Sequence, residues 1–130
     1  MVTPQRVYDY MQRRGIELAR AFNPENMIYT NKESTSYRVK FVEDDLIMTC
    51  SGTLALGLCY VDKKEMIIAI SRPLREVIAT FVHEAHHADH ETASEEEVRT
   101  LTRITLRKIN FTDREYQRWL NRGIERYVLG

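Results

Sequence analysis

Residues 81–90 constrain this chain more than any other stretch, because they hold all 4 of its histidines and contain the pattern His-Glu-x-x-His. On an α-helix, His83 and His87 lie one turn apart and about 40° apart around the axis, so two imidazoles can bind one metal ion. Glu84 lies about 60° from His87, where a general base can reach a metal-activated water without being a ligand. The segment therefore predicts a metal site with His83 and His87 as ligands and Glu84 as the catalytic base.

The residues around this pattern predict an amphipathic helix. Measured from His83, the apolar side chains lie between roughly 120° and 220° around the helix axis; they are Leu74, Val77, Ile78, Phe81, Ala85 and Ala88. One side of the helix is thus apolar and the other carries the histidines. The competing interpretation is a solvated polar face that happens to be rich in histidine.

A third protein ligand is expected in the acidic segment that follows, which contains Glu91, Glu95, Glu96 and Glu97. Ser94-x-x-Glu97 is typical of a capping box, which makes Glu95 the first helical residue. Glu95 then lies about 60° from Val98 on the inward face, where an ionised carboxylate is costly unless it is paired or bound to a metal. Glu95 is therefore the predicted ligand, with His90 and Glu96 as alternatives.

Four segments together resemble a minimal zincin core: residues 57–60, 66–71, 80–88 and 95–99. The pattern is similar to small metallopeptidases encoded by phages and prophages and, more distantly, to the gluzincins of the ImmA/IrrE type. The resemblance covers roughly residues 57–109, and it implies a hairpin strand, a helix with both histidine ligands and a glutamate ligand early in the next helix. It also implies that an edge strand, such as residues 66–70, holds an extended peptide substrate. Arg99 stands where such families commonly have an acidic or amide residue.

The remaining patterns predict an α+β domain spanning residues 1–130, with a small, mostly antiparallel sheet, an N-terminal helix, the motif helix and two C-terminal helices. Thr3-Pro4 is a typical helix start, and the helical spacing of apolar residues runs to Phe22 before Asn23-Pro24. Strand-like runs occupy residues 36–42, 46–50, 54–61 and 66–70, and residues 62–65 are expected to form a hairpin turn.

Composition limits the partners and the cellular compartment expected for the chain. It has 130 residues, a formal net charge of zero and only 2 cysteines, so neither a bulk attraction to nucleic acid nor a disulfide framework is expected. Cys50 and Cys59 are predicted to be core thiols. With no signal segment and no apolar run of membrane-spanning length, the expected location is the cytoplasm, or the host cytoplasm if a phage encodes the protein, without a membrane partner.

The last segment, which starts with a second capping box at Thr112-x-x-Glu115, is predicted to be a helix. Its apolar stripe comprises Trp119, Leu120, Ile124, Tyr127 and Val128, and its arginines repeat every fourth residue at 114, 118, 122 and 126. Charge is uneven, since residues 83–97 contain six acidic and no basic side chains whereas residues 99–126 contain eight basic and three acidic ones. The arginines form either a solvated face or a surface for phosphate or an acidic partner.

Three functional hypotheses follow from these patterns. In the first, the chain is a zinc metallopeptidase that cleaves a peptide or protein substrate, with Zn²⁺ on His83, His87 and Glu95, and with His86, His90 or Tyr60 available as the transition-state donor. In the second, it binds zinc without catalysis and acts as an interaction module of a phage or mobile element. In the third, the arginine helix binds nucleic acid and the histidines are incidental. The substrate and the oligomeric state have no signature in the sequence.

Overall fold

The computed structural model describes residues 1–49, 52–122 and 126–127, and it shows an α+β fold with four helices and a mostly antiparallel sheet. The α-helices are α1 (Pro4–Arg13), α2 (Leu74–Asp89), α3 (Glu95–Leu106) and α4 (Asp113–Asn121). The strands are β1 (Phe22–Asn23), β2 (Ile28–Thr30), β3 (Ser36–Val42), β4 (Ile47–Met48), β5 (Thr53–Ala55), β6 (Gly57–Tyr60), β7 (Glu65–Ala69) and β8 (Arg126–Tyr127).

The main sheet has the strand order β1-β2-β3-β7-β6, and only its β3–β7 pair is parallel. Strands β6 and β7 form the expected hairpin, with Tyr60 opposite Glu65. Strands β4, β5 and β8 form a second, antiparallel sheet. The expectation that residues 66–70 form an edge strand is wrong, because β7 lies between β3 and β6; the terminal strand next to it is β6.

Helix α2 is the centre of the core, because residues from Val77 to His86 are all buried, whichever side of the helix they occupy. Its Phe81 ring lies 4.8 Å from Phe22 and 6.1 Å from Tyr29, which joins the helix to the first strands of the main sheet. An α-helix buried all round is one that other elements enclose. The predicted apolar face is correct, but the histidine side is enclosed as well, by α3 and α4.

Local capping signals are confirmed at three helix starts. Thr3 accepts a hydrogen bond from the Arg6 amide at the start of α1. Ser94 and Thr112 each form a complete capping box with Glu97 and Glu115, at the starts of α3 and α4. Side-chain oxygens at these positions satisfy amide groups that have no partner within the helix.

Several predicted boundaries are wrong. Helix α1 ends at Arg13 rather than near Phe22, because Gly15 adopts a left-handed conformation with φ of +71° and a 3₁₀ turn, Glu17–Ala21, follows. The run 54–61 divides between β5 and β6, which belong to different sheets. Helix α4 ends at Asn121 and Arg126 lies in β8, so the predicted helical stripe does not reach Tyr127. Cys50, Ile124 and Val128 lie outside the described residues, whereas Cys59 is a half-buried free thiol in β6.

Candidate metal centre

Helix α2 brings His83 and His87 to one place, as the spacing predicts. Their rings stand edge to face with centroids 4.9 Å apart. His83 is completely buried, and His87 is about one-fifth exposed. A solvated, histidine-rich face is therefore the wrong interpretation of this side of the helix, because one imidazole has no access to water.

Helix α3 supplies Glu95 to the same place, and its position follows from the helix start. The Ser94 cap makes Glu95 the first residue of α3, which points its carboxylate toward α2. One carboxylate oxygen, Oε1, lies 2.7 Å from His83 Nε2, and the other, Oε2, lies 2.8 Å from His87 Nε2. One ligand atom from each of the three residues falls within 4.8 Å of the others, so this group could hold a metal ion.

The buried nitrogen of His83 has the property that a metal ligand needs. Although it lies 2.7 Å from Glu95 Oε1, the alignment is not that of a hydrogen bond, and Nε2 has no hydrogen-bond partner among the residues that the structure describes. A buried polar atom without a partner is costly and calls for an explanation. Two imidazoles and a carboxylate are a donor set that zinc sites use, and the three ligand atoms, all within 4.8 Å of one another, lie close enough to bind one ion.

Thr102 fixes the orientation and the proton of His83 from the opposite side of the ring. Its Oγ1 lies 3.1 Å from His83 Nδ1 and donates its own proton to the Val98 carbonyl at 2.8 Å. Since the hydroxyl proton is used in this way, Thr102 acts as the acceptor and His83 carries its proton on Nδ1. The lone pair of Nε2 is then directed toward Glu95 and His87, which is the tautomer that binds a metal through Nε2.

Electrostatics keep this cluster ready for a cation. Burial lowers the pKa of His83, so its ring is neutral. Burial alone would raise the pKa of Glu95, but the close contacts of its two oxygens with the His83 and His87 imidazoles outweigh that effect and hold the pKa of the carboxyl well below its usual range. A neutral imidazole and an ionised carboxylate are the forms that coordinate a metal ion.

Glu84 is buried next to the histidines and packs against β6. Its carboxylate lies so close to Gly57 that a Cβ at that position would be 3.1 Å from Oε2, and the same Cβ would be 2.5 Å from Thr80 Cγ2. Glycine at the first position of β6 thus makes room for both side chains of α2. A buried carboxylate one residue along α2 from His83 is the kind of group that can act as a general base.

The alternative ligands lie elsewhere. Glu96 is exposed on α3, and His90 stacks on His86 with ring centroids 6.1 Å apart, outside the group of three. His86 Nε2 contacts Thr105 Oγ1 at 2.8 Å, and burial with the nearby charge of His90 lowers the pKa of His86 to about 4. Tyr60 is half-buried at the end of β6 under Lys63.

The segment between the ligand helices is tied to the sheet. Tyr29 donates a hydrogen bond of 2.9 Å to Asp89, and Asn31 donates one of 2.9 Å to the Ala88 carbonyl. Glu91 accepts hydrogen bonds from the Tyr37 hydroxyl and, at 2.7 Å, from Lys64, which lowers the pKa of its carboxyl. These contacts fix the end of α2 and the first residue of its connector to α3 against the sheet.

Sequence reasoning missed three further neighbours of the centre. Thr102 lies seven residues after Glu95 and therefore shares its helix face, which is the sequence signal that could have found it. Trp119 of α4 places its indole 5.7 Å from the His83 ring and donates to Thr80 Oγ1 at 3.0 Å. Arg99 Nε lies 3.4 Å from Glu95 Oε1. The signal for Arg99 was the i, i+4 spacing from Glu95.

No family model, no curated protein and no solved structure matches the chain. Across residues 1–49 and 52–122, no helix combines the length and the apolar character needed to cross a bilayer. The inference about function therefore depends on the geometry of His83, His87, Glu95 and Glu84.

Proposed function

We propose that the protein is a zinc-dependent metallopeptidase. The observation that carries the proposal is the convergence of His83, His87 and Glu95, in which the completely buried His83 Nε2 has no hydrogen-bond partner in the described part of the chain. Two histidines from one helix and a glutamate from the next make up a three-ligand protein set, and catalytic zinc sites keep a further position open. Zinc held there would polarise a carbonyl and lower the pKa of a bound water toward about 7.

Glu84 is the proposed general base and acid. It follows His83 in the sequence, is almost fully buried, and lies on the side of α2 that faces β6. From there it can accept a proton from the attacking water and deliver that proton to the amine that leaves when the peptide bond breaks. The low dielectric of its surroundings strengthens its interaction with a nearby cation.

The proposed substrate is an extended peptide that pairs with β6. This strand ends the main sheet and packs beside α2, so a peptide aligned with it would run past Glu84. Added strands bind through main-chain hydrogen bonds, with alternate side chains entering neighbouring pockets. Strand β6 takes the role that the sequence assigned to residues 66–70, because β7 is enclosed on both sides.

Metal content and cleavage of a mixed peptide library test the proposal, with the wild type compared with Glu84→Gln and with Glu96→Gln as a control on an exposed glutamate. We expect one zinc ion per chain in all three proteins, and peptide products from the wild type and Glu96→Gln only. Zinc in every protein with products from none would favour the non-catalytic binding module. Protein isolated without metal that also fails to bind added zinc at neutral pH would refute the metal centre itself.

A further inference from the structure

Arg99 lies beside the metal centre with most of its hydrogen-bonding capacity unused. Its Nε approaches Glu95 Oε1 at 3.4 Å, near the upper limit for a hydrogen bond, and the same oxygen lies 2.7 Å from His83 Nε2. Within the described part of the chain, Nη1 and Nη2 of Arg99 have no hydrogen-bond or ion-pair partner. The side chain is 45% exposed, so these two groups remain accessible from solvent.

The charge balance of the site indicates that the Arg99 guanidinium does more than form an i, i+4 ion pair with Glu95. A divalent cation together with ionised Glu84 and Glu95 is electrically neutral, and Arg99 adds one positive charge at the edge of the cluster. The next arginine on the same face, Arg103, does not share this role because its Nη2 donates to Asp113 at 2.5 Å. Arg99 is therefore the cation of α3 that remains to attract an anion into the site.

The backbone around Arg99 is held in place by α4. The Tyr116 hydroxyl donates to the Arg99 carbonyl at 3.2 Å, and the Arg103 guanidinium lies 5.1 Å from the Tyr116 ring centre. The backbone carbonyl of Arg99 is thus held by Tyr116 and its Nε lies against Glu95, while Nη1 and Nη2 point to neither partner. A planar guanidinium fixed in this way presents paired donors that match the oxygens of a carboxylate or of a tetrahedral oxyanion.

We propose that Arg99 is the anion-binding residue of this site, donating from Nη1 and Nη2 to an anionic oxygen of the substrate that enters beside Glu95. The oxygen belongs either to the carbonyl that becomes an oxyanion during cleavage or to a carboxylate of the peptide. The inference rests on the proposed metal centre and deepens it, since it assigns the donor that zinc and Glu84 leave unspecified.

The first test measures anion binding without any catalytic readout. Protein loaded with Co²⁺ is titrated with acetate and, separately, with neutral imidazole, while the visible absorption of the metal is followed. For Arg99→Gln we expect acetate affinity to fall about tenfold and imidazole affinity to stay within about twofold, because only the anion gains from a charged donor. Arg103→Gln is the matched control, since it removes an arginine of similar exposure one turn along α3.

The same variants separate this role from a structural one. Arg99 competes with the metal for Glu95, so Arg99→Gln should bind Co²⁺ as tightly as the wild type or a few times more tightly. Loss of Co²⁺ binding in Arg99→Gln would overturn the proposal, because Arg99 would then serve only to position Glu95. Equal loss of acetate affinity in Arg99→Gln and Arg103→Gln would also overturn it, since overall charge would explain both.

Peptide kinetics identify the source of the bound oxygen. A lower kcat for Arg99→Gln on uncharged, end-blocked peptides assigns the donor to the developing oxyanion, whereas a higher KM confined to peptides with a carboxylate assigns it to substrate recognition. If the wild type binds Co²⁺, and binds acetate in a way that depends on Arg99, but cleaves no peptide, the peptidase proposal is refuted and the assignment of Arg99 as an anion-binding residue is supported. If the wild type cleaves peptides and Arg99→Gln has the same kinetics and the same acetate affinity, the role of Arg99 is refuted and the peptidase proposal is supported.

Discussion

Replacing Thr102 with valine should weaken metal binding while leaving the fold in place. The change removes the hydroxyl that accepts the Nδ1 proton of His83 at 3.1 Å, and valine keeps the branched shape of threonine. Both residues are completely buried, so no water can replace the lost acceptor. Val98 loses one of two hydrogen bonds, because its carbonyl also serves the backbone of α3.

The magnitude follows from the role of the hydroxyl. A group that orients a ligand histidine is typically worth 10- to 100-fold in metal affinity, which corresponds to about 1.4–2.7 kcal/mol. Leaving a buried N–H without a partner costs about 1–3 kcal/mol of stability. When no metal is bound, His83 can move its proton to Nε2, so the metal-free protein should lose stability only at the lower end of that range. The loss of metal affinity should be the larger effect.

The assay is a competition titration of Zn²⁺ against a chelator at neutral pH. Trp119 is the only tryptophan of the chain, and its ring lies 5.7 Å from that of His83, so its fluorescence reports events at the site. Two matched variants share the same helix: Thr105→Val removes an equivalent contact with His86, and Thr100→Val removes only a bond to the Glu96 carbonyl. If Thr102→Val binds zinc as tightly as these two controls, the assignment of Thr102 to the metal centre is refuted.

Three further predictions concern the surroundings of the site. Gly57→Ala should lower the unfolding free energy by about 1–3 kcal/mol and should reduce cleavage more than it reduces zinc binding. In the double variant, Thr80→Ser removes the methyl group 2.5 Å from the new Cβ and should restore part of the stability and part of the cleavage. The metal-free protein should lose stability as the pH falls from 6.5 toward 4, and His86 should contribute up to about 1.4 kcal/mol per pH unit to this loss. The cause is that His86 binds a proton in the unfolded chain over this range, whereas burial lowers its pKa to about 4 in the folded protein. Urea titrations across this range should show a shallower slope for His86→Gln. Arg75→Met should lower the unfolding free energy by about 1–2 kcal/mol in thermal or urea denaturation, because the guanidinium donates to both carboxylate oxygens of Glu115 at 3.0 Å; unchanged stability would show that this partly exposed pair contributes little.

Features with a local cause could be predicted from the sequence. The starts of α1, α3 and α4 follow from Thr3, Ser94 and Thr112, because a cap is decided by residues within one turn of it. The choice of Glu95 over Glu96 as the residue that approaches the histidines has the same origin, since the cap at Ser94 sets which carboxylate faces inward. The positions of His83, Glu84 and His87 on one helix required only helical periodicity.

Features that depend on distant parts of the chain could not be predicted in this way. The division of residues 54–61 between two sheets reflects which strands pair with each part, and apolar alternation carries no information about pairing partners. The edge position expected for residues 66–70 came from the family resemblance, and β7 is instead enclosed because β3 pairs with it in parallel. Likewise, helical spacing puts Thr102 on the same face of α3 as Glu95, but its contact with His83 depends on how α3 packs against α2.

The hydrogen bonds that join Tyr29, Asn31 and Tyr37 to the end of α2 and to the connector determine how the cluster responds to metal removal. Because the sheet already holds the end of α2 and the connector that leads to α3, few residues have to become ordered when an ion binds, and little of the binding free energy is lost to folding. The protein should therefore behave unlike a small zinc finger, which unfolds without its ion. Chelation should leave a folded apoprotein in which different divalent ions can be exchanged and compared on one scaffold.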